Sequence, residues 1–436
     1  MRLSTIQRPA AALALALAMI CPASAQTAPA TIDPADTAWM IMATGLVLMM
    51  TIPGLALFYC GMVRKKNVLA TMAQSLMCTM LCSLLWAGVG YTLVFSGDGA
   101  LIGNLDKIFL RGIEMDAIAS QTRIPETLFM LYQMTFAVIT VALVGGSVAD
   151  RMRFSAFAWF AALWLIFVYV PIAHWVWGGG FLTVLPDRPG ILDFAGGTVV
   201  HLNAGVAGLV AAYVIGRRHG YGSENFAPYD LSLAVIGTGL LWVGWFGFNG
   251  GSALGANSRA VLAIVATHLS ASAGALTWMA LEWWTRGKPS VLGMISGAVA
   301  GLGTITPASG FVLPWQGAVI GFMAGGICFW ACTALKRRLG YDDSLDVFGV
   351  HGVGGATGTF LTGVFAVAAV GGTPGLLEGN PSQLLYQCYG IAATLVWSGG
   401  MTFVLFKVIA LFVPLRVSEL NEIEGLDVTQ HGEALQ

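Results

Sequence analysis

The chain has 436 residues, of which 57% are hydrophobic and only 10% charged, with a net charge of −1 and a mean hydropathy of +0.77. Soluble domains carry about 25% charged residues, so this composition belongs in a lipid bilayer. The near-neutral charge and the lack of a basic patch interleaved with aromatics exclude a nucleic-acid partner.

At the N-terminus, Arg2 and Arg8 precede a short apolar run that ends in Ala23-Ser24-Ala25. The run is too short and wrongly flanked for a membrane span, so residues 1–25 are predicted to be a secretory signal peptide. The mature chain then starts near Gln26, outside the cytoplasm.

Apolar stretches of about twenty residues, the length that crosses a bilayer, follow at 37–60, 68–95, 126–148, 155–176, 194–216, 231–250, 259–284, 291–306, 315–335, 347–369 and 384–414. They predict an all-α integral membrane protein of eleven transmembrane helices, with a membrane domain over 26–414 and a tail over 415–436. The loops holding Arg64, Lys65 and Lys66, Arg151 and Arg153, Arg217 and Arg218, Arg286 and Lys288, and Lys336, Arg337 and Arg338 all fall on one side. The other side is poorer in basic residues (Lys107, Arg111, Arg123, Arg188, Arg259), so the rich side is read as cytoplasmic. Eleven spans from an exterior N-terminus put the tail inside, where by default it is a solvated end.

Glycine, at 56 residues, exceeds the usual share of about 7%. Stretches such as "GVHGVGGATG" place small residues at helical spacing, which lets helix backbones approach closely in lipid. The bundle should be tight and leave little room for an aqueous channel. After Cys21, six cysteines remain (Cys60, Cys78, Cys82, Cys328, Cys332 and Cys388), and none has a His or carboxylate beside it to complete a metal site. They are read as small buried hydrophobes.

Spans five and ten echo each other. "DFAGGTVVHLNAGVAG" and "DVFGVHGVGGATG" each begin near an Asp, Asp193 or Asp346, and place a His, His201 or His351, one to two turns further in. Spans 1–5 and 6–10 then form a pseudo-twofold inverted repeat, an arrangement that puts the substrate route at the repeat interface near the midplane. In it, His201 and His351 enter from opposite sides and reach the middle together. Each alone is as compatible with helix packing as with function; as a pair in equivalent places they point to function. A pair of neutral imidazoles offers donors and acceptors without holding a full charge in lipid, and it can relay a proton. Metal ligation would need a third ligand, for which the sequence offers no candidate. Asp193 opens its span, where a carboxylate caps the first helical turn; from there it can also draw a cation toward the opening.

These motifs resemble the ammonium transporter family (Amt/Mep/Rh), specifically its bacterial Amt branch. The matching pieces are "FYCGMVRKKNVL" (58–69), "ADRMRFSAF" (149–157), "HWVWGGGFL" (174–182), "DFAGGTVVHLNAG" (193–205), "WFGFNGGSALGAN" (245–257), "GKPSVLG" (287–293), "TPASGFV" (306–312), "DDSLDVFGVHGVGG" (342–355) and "EGLDVTQHGE" (424–433). They run in family order over nearly the whole mature chain.

The resemblance implies a homotrimer in the bacterial inner membrane, each protomer with its own narrow, mostly apolar pore and no cofactor. It implies that Trp177 and Ser252, with Tyr132 in a position usually held by Phe, form an external ammonium site. Phe136 and Phe248 would be the stacked rings that close it, His201 and His351 the pore pair, and Asp193 the acidic residue that supports the site. Aromatic faces attract a desolvating cation, and a serine hydroxyl accepts one of its hydrogen bonds. The tail match implies a PII-type regulatory protein as a possible cytoplasmic partner. A transporter that selects ammonium, takes or relays its proton and conducts ammonia is the reading these residues favour. The alternative is an ammonium sensor signalling through its tail, which the lack of an appended output domain disfavours. No HExxH, GxSxG or phosphate-loop motif in a suitable context points to an enzyme.

Overall fold

The computed structural model describes residues 31–184 and 189–435, so the signal peptide expected over 1–25 lies outside the described residues. Among the described residues, nine helices are long and apolar enough to cross a membrane: α1 (Pro34–Met62), α2 (Lys65–Phe95), α3 (Glu126–Val148), α4 (Phe154–Trp177), α5 (Gly197–Ile215), α6 (Leu231–Gly250), α7 (Ser258–Arg286), α9 (Pro314–Leu339) and α11 (Pro381–Ala410). Two more complete the eleven: the shorter apolar α8 (Val291–Ile305) and α10 (348–365), whose apolar character is diluted by glycines, threonines and His351. No strand occurs among the described residues, only two isolated bridges.

Polar residues set where the helices start. Asp33, Asp230, Asn257 and Ser290 accept hydrogen bonds from the first-turn amides of α1, α6, α7 and α8, which satisfies donors that have no intrahelical partner. Helices α3 and α5 are mostly enclosed, with 83% and 78% of their central windows buried, whereas α11 buries 28% and turns its apolar face outward. That outward face is what a helix bordered by lipid requires.

The inverted repeat is written into the irregularities of the helices. Helix α1 is kinked at Ile52 (φ −130°, ψ 116°), and π-turns close α6 (Phe246–Gly250) and interrupt α2 (Trp86–Gly90); in matched pairs, a π-turn interrupts α4 (Leu165–Tyr169) and α9 (Ala331–Leu335) and opens α5 (Gly197–Leu202) and α10 (Phe348–Gly352). Each member of these pairs lies five spans from its counterpart. Such turns occur mostly as single bulges, often at functional sites.

The basic loops gather at one end, together with the tail. Asp150 pairs with Arg64 at 3.4 Å and Arg218 at 3.5 Å, and Arg218 pairs with Asp342 at 2.7 Å. The buried Arg151 guanidinium donates to Gly216 O at 2.8 Å and to Ser344 Oγ at 2.7 Å. Burial alone would raise the Asp342 carboxyl, but the hydrogen bonds and charge of Arg218, with Arg151, outweigh it and hold it below the usual carboxylate range. Its contribution to stability is therefore present above the unfolded-state pKa of about 3.9 and is lost as pH falls through the lowered folded value.

The tail is not a solvated end. Leu426 N donates to Asn67 Oδ1 at 2.8 Å, the Asp427 carboxylate accepts from Leu69 N at 3.1 Å and Ala70 N at 2.8 Å, and Val417 N donates to Arg151 O at 3.1 Å. The reason is the start of α2, whose free amides offer a carboxylate a place to dock. Among the cysteines, Cys60, Cys78, Cys82 and Cys328 are buried as expected, but Cys332 is half-buried and Cys388 is exposed on the outward face of α11.

Candidate functional site

Two backbone features bring the ends of α5 and α10 together. The first is a cap. Asp193 precedes α5, and its carboxylate accepts from Gly196 N at 2.8 Å, Gly197 N at 2.6 Å, Thr198 N at 2.8 Å and the Thr198 hydroxyl. Gly196 takes φ +112°, a left-handed conformation that glycine adopts without a Cβ penalty. In the other half Asp343, not the Asp346 of the sequence echo, plays this part: its carboxylate accepts from Phe348 N at 2.7 Å. Asp346 stands where Gly196 does, at φ +58°, and pairs with Lys336 at 2.7 Å. Asp193 and Asp343 each lie eight residues before their histidine, a longer spacing than the Asp346 pairing implies. The second feature is a helix crossing. A Cβ on Gly205 would lie 2.1 Å from Gly352 N, so only a glycine there lets α5 and α10 cross this closely.

The crossing sets the two imidazoles side by side. His201 Nδ1 and His351 Nδ1 are 3.2 Å apart, with the rings 5.3 Å apart and tilted by 14°. One Nδ1 must donate and the other accept, so one outer Nε2 is an acceptor and the other a donor. A proton taken up at the accepting Nε2, a shift across the Nδ1 contact and release from the far Nε2 moves one proton and leaves the pair neutral, with its tautomers exchanged. His201 Nε2 has no hydrogen-bond partner among the described residues. Trp245 stacks on His201 at 5.5 Å and 18°, and its Nε1 donates to Thr306 Oγ1 at 2.9 Å. Trp245 went unrecognised as a site residue, although it opens the quoted "WFGFNGG"; its distance from both histidines in sequence hides the stack.

A line of cavities runs past this pair. At the Asp193 end a vestibule of about 350 Å³ is lined by Trp177, Phe136 and Ser252 among others. Phe136 and Phe248 stack beneath it, 4.2 Å apart at 29°. Below them a cavity of about 10 Å³ holds His201, His351 and Trp245 among otherwise apolar walls such as Ile139, Leu143, Val200 and Leu241. That is roughly the space one water occupies. His351 also lines a third cavity of about 220 Å³, which opens toward the tail end.

Of the remaining predicted residues, Trp177, Ser252 and Asp193 line the first of these cavities, and Tyr132 is buried behind it. Trp177 sits edge-on to Phe136 at 5.9 Å and 89°, and its Nε1 donates to Asp193 O at 3.0 Å. Asp193 thus meets Trp177 through its carbonyl, while its carboxylate oxygens are occupied by α5. The Tyr132 hydroxyl donates to Phe248 O at 2.8 Å, with Gly247 O at 3.0 Å and Ser252 Oγ at 3.3 Å, and Ser252 Oγ donates to Phe248 O at 2.9 Å. The added hydroxyl points into the π-turn of α6 and ties Ser252 and the Phe248 backbone to α3. Among the described residues, no group of three or more His, Cys, Asp or Glu is placed to hold a metal ion.

An eleven-span helical bundle with one buried imidazole pair on a line between two vestibules is a polytopic membrane protein with a narrow central conduit. Residues 38–435 match the model of the Ammonium Transporter Family, and the chain belongs to that family. An ammonium transporter of Aquifex aeolicus is 49% identical over 405 residues, covering 93% of this chain and 94% of that one. The crystal structure of Saccharomyces cerevisiae Mep2 matches with a TM-score of 0.82 and 38% identity, covering 90% of this chain and 92% of that one. A solved structure described as a sensor Amt protein matches with a TM-score of 0.83 and 29% identity, covering 91% and 98%.

Proposed function

We propose that the protein is an ammonium transporter that recognises ammonium in the Asp193-end vestibule, takes its proton and passes ammonia along the apolar conduit while His201 and His351 relay the proton. The observation that carries this reading is the 3.2 Å contact between two imidazoles in a cavity whose other walls are almost all apolar. Ammonium meets the faces of Trp177 and Phe136, where cation–π attraction of about 0.5–2 kcal/mol offsets part of its desolvation, and the Ser252 hydroxyl accepts one of its hydrogen bonds. Loss of the proton leaves neutral ammonia, which crosses an apolar cavity far more easily than a cation does. The stacked Phe136 and Phe248 rings exclude hydrated metal ions.

In this reading the Asp193 end faces outward and the tail end faces the cytoplasm of a bacterial inner membrane, following the bias of basic loops. The protein assembles as a homotrimer, and the docked tail together with its neighbouring loops forms the surface that a PII-type protein would meet. The sensor reading draws on the likeness to the sensor Amt structure; a variant that no longer transports but still signals would favour it.

The test is an ammonium-jump current in proteoliposomes, for the wild type and for His201→Ala combined with His351→Ala, with potassium as control. A selective wild-type current that the double variant loses or makes leaky to potassium supports the relay. A double variant that keeps the full selective current refutes it.

A further inference from the structure

We infer that Arg259 is a specificity-determining residue: a tethered cation that fills a second aromatic cage in the Asp193-end vestibule and sets an electrostatic cost for every cation that enters. Resting on the transport reading above, the inference assigns Arg259 a role in how that same site selects. Arg259 is the second residue of α7, and its side chain lines the vestibule together with Trp177, Phe136 and Ser252. Its guanidinium carbon lies 4.8 Å from the ring centroid of Phe194 and 4.8 Å from that of Phe311. The two rings are 5.8 Å apart at 77°, so they form the two walls of a cage. Nε donates to Gly310 O at 2.7 Å, which fixes the side chain between them.

The charge is not neutralised. Among the described residues lining the vestibule only Asp193 and Arg259 are ionisable, and the Asp193 carboxylate is engaged by the first turn of α5. No described carboxylate forms an ion pair with Arg259. A free positive charge in a partly enclosed space raises the energy of any second cation there, by an amount that depends on local dielectric and on salt. It also denies weakly hydrated cations the Phe194 and Phe311 faces, leaving Trp177 and Phe136, with Phe95 and Phe129, as the aromatic side chains on the rest of the wall. An ion then stays only if it also finds a hydrogen-bond acceptor, and ammonium finds Ser252 while potassium has no proton to offer.

The variants Arg259→Gln and Arg259→Lys separate charge from architecture. Both lose the fork geometry that stacks on the rings, but Lys keeps the charge. With charge as the operative property, Arg259→Gln lowers the ammonium concentration for half-maximal current about three- to tenfold at low ionic strength and strengthens inhibition by potassium, while Arg259→Lys stays within about twofold of the wild type. Raising ionic strength with an impermeant organic salt should tighten the wild type toward the Gln variant and leave the Gln variant unmoved. A calorimetric titration of the detergent-solubilised proteins with ammonium reads the same ordering without flux, so a wild type that binds but carries no current refutes the transport reading and not this one. Gln and Lys variants that shift together, or a Gln variant with unchanged or weaker affinity, would show that Arg259 is only a strut between the two rings.

Discussion

The tail end and the vestibule treat charge in opposite ways, although ion pairs such as Arg123–Asp33 and Lys107–Glu126 also tie the loop beside the vestibule. At the tail end, Arg64, Asp150, Arg218 and Asp342 form a chain of ion pairs, and Arg416 holds the buried Glu422 at 2.7 Å. At the Asp193 end the described residues of the vestibule include one carboxylate, already engaged by backbone amides, and one arginine held between rings. The difference teaches that ion pairs here fix loops and the tail in place, whereas in the proposed reading the vestibule meets a cation with aromatic faces and no free carboxylate. A carboxylate open to the vestibule would bind any cation; on the proposed reading, rings and one hydroxyl are what would discriminate among them.

The comparison breaks most severely at Arg218. Truncation to Ala leaves the buried Asp342 and Asp150 without their shared partner, and losing one side of a buried pair costs about 3–5 kcal/mol. Arg218→Ala is expected to lower the thermal unfolding midpoint in detergent more than any change in the vestibule, and to release the tail to limited proteolysis. An unchanged midpoint would mean that the ion chain contributes nothing.

Asp193→Ala tests whether the one carboxylate at the other end is a cap or a ligand. It orphans at least three buried amides of α5, with an expected cost of about 2–4 kcal/mol, and frees the carbonyl that holds Trp177. Asp193→Asn keeps one acceptor oxygen and should recover part of the stability. If Asn instead restores full stability but not ammonium affinity, the carboxylate charge itself serves the site.

Tyr132→Phe is the mildest change. It keeps the ring beside Phe136 and removes one buried hydrogen bond to Phe248 O, worth about 1 kcal/mol. The expected result is a small loss of thermal stability and a change of a few-fold in ammonium affinity with the maximal current retained. A loss of maximal current with unchanged affinity would instead place the hydroxyl in gating.

Much of this was legible in the chain. The eleven spans were readable because each apolar run is long enough to cross lipid, and α8 and α10 were found by the same reading despite their shorter or more polar helices. Tyr132, Phe136, Trp177, Phe248 and Ser252 were recognisable only as a set carried by motifs, since an aromatic residue in a membrane helix is by itself unremarkable. The structure places Phe136, Trp177 and Ser252 on the vestibule wall, with Phe248 stacked beneath Phe136 and Tyr132 buried behind them. What stayed hidden depended on direction: Trp245 stacking on His201, and the tail folding back onto α2.

By itself the sequence determined the membrane environment, the number of spans, their repeat and the pairing of two histidines, because hydropathy and period are properties of local composition. The tertiary structure alone decided that Asp343 is the true counterpart of Asp193, that Gly205 and Gly352 let the imidazoles come within 3.2 Å, and that Arg259 sits in a cage of its own. Those outcomes follow from backbone approach and side-chain direction, much of it between segments far apart in the chain, which hydropathy and period do not encode.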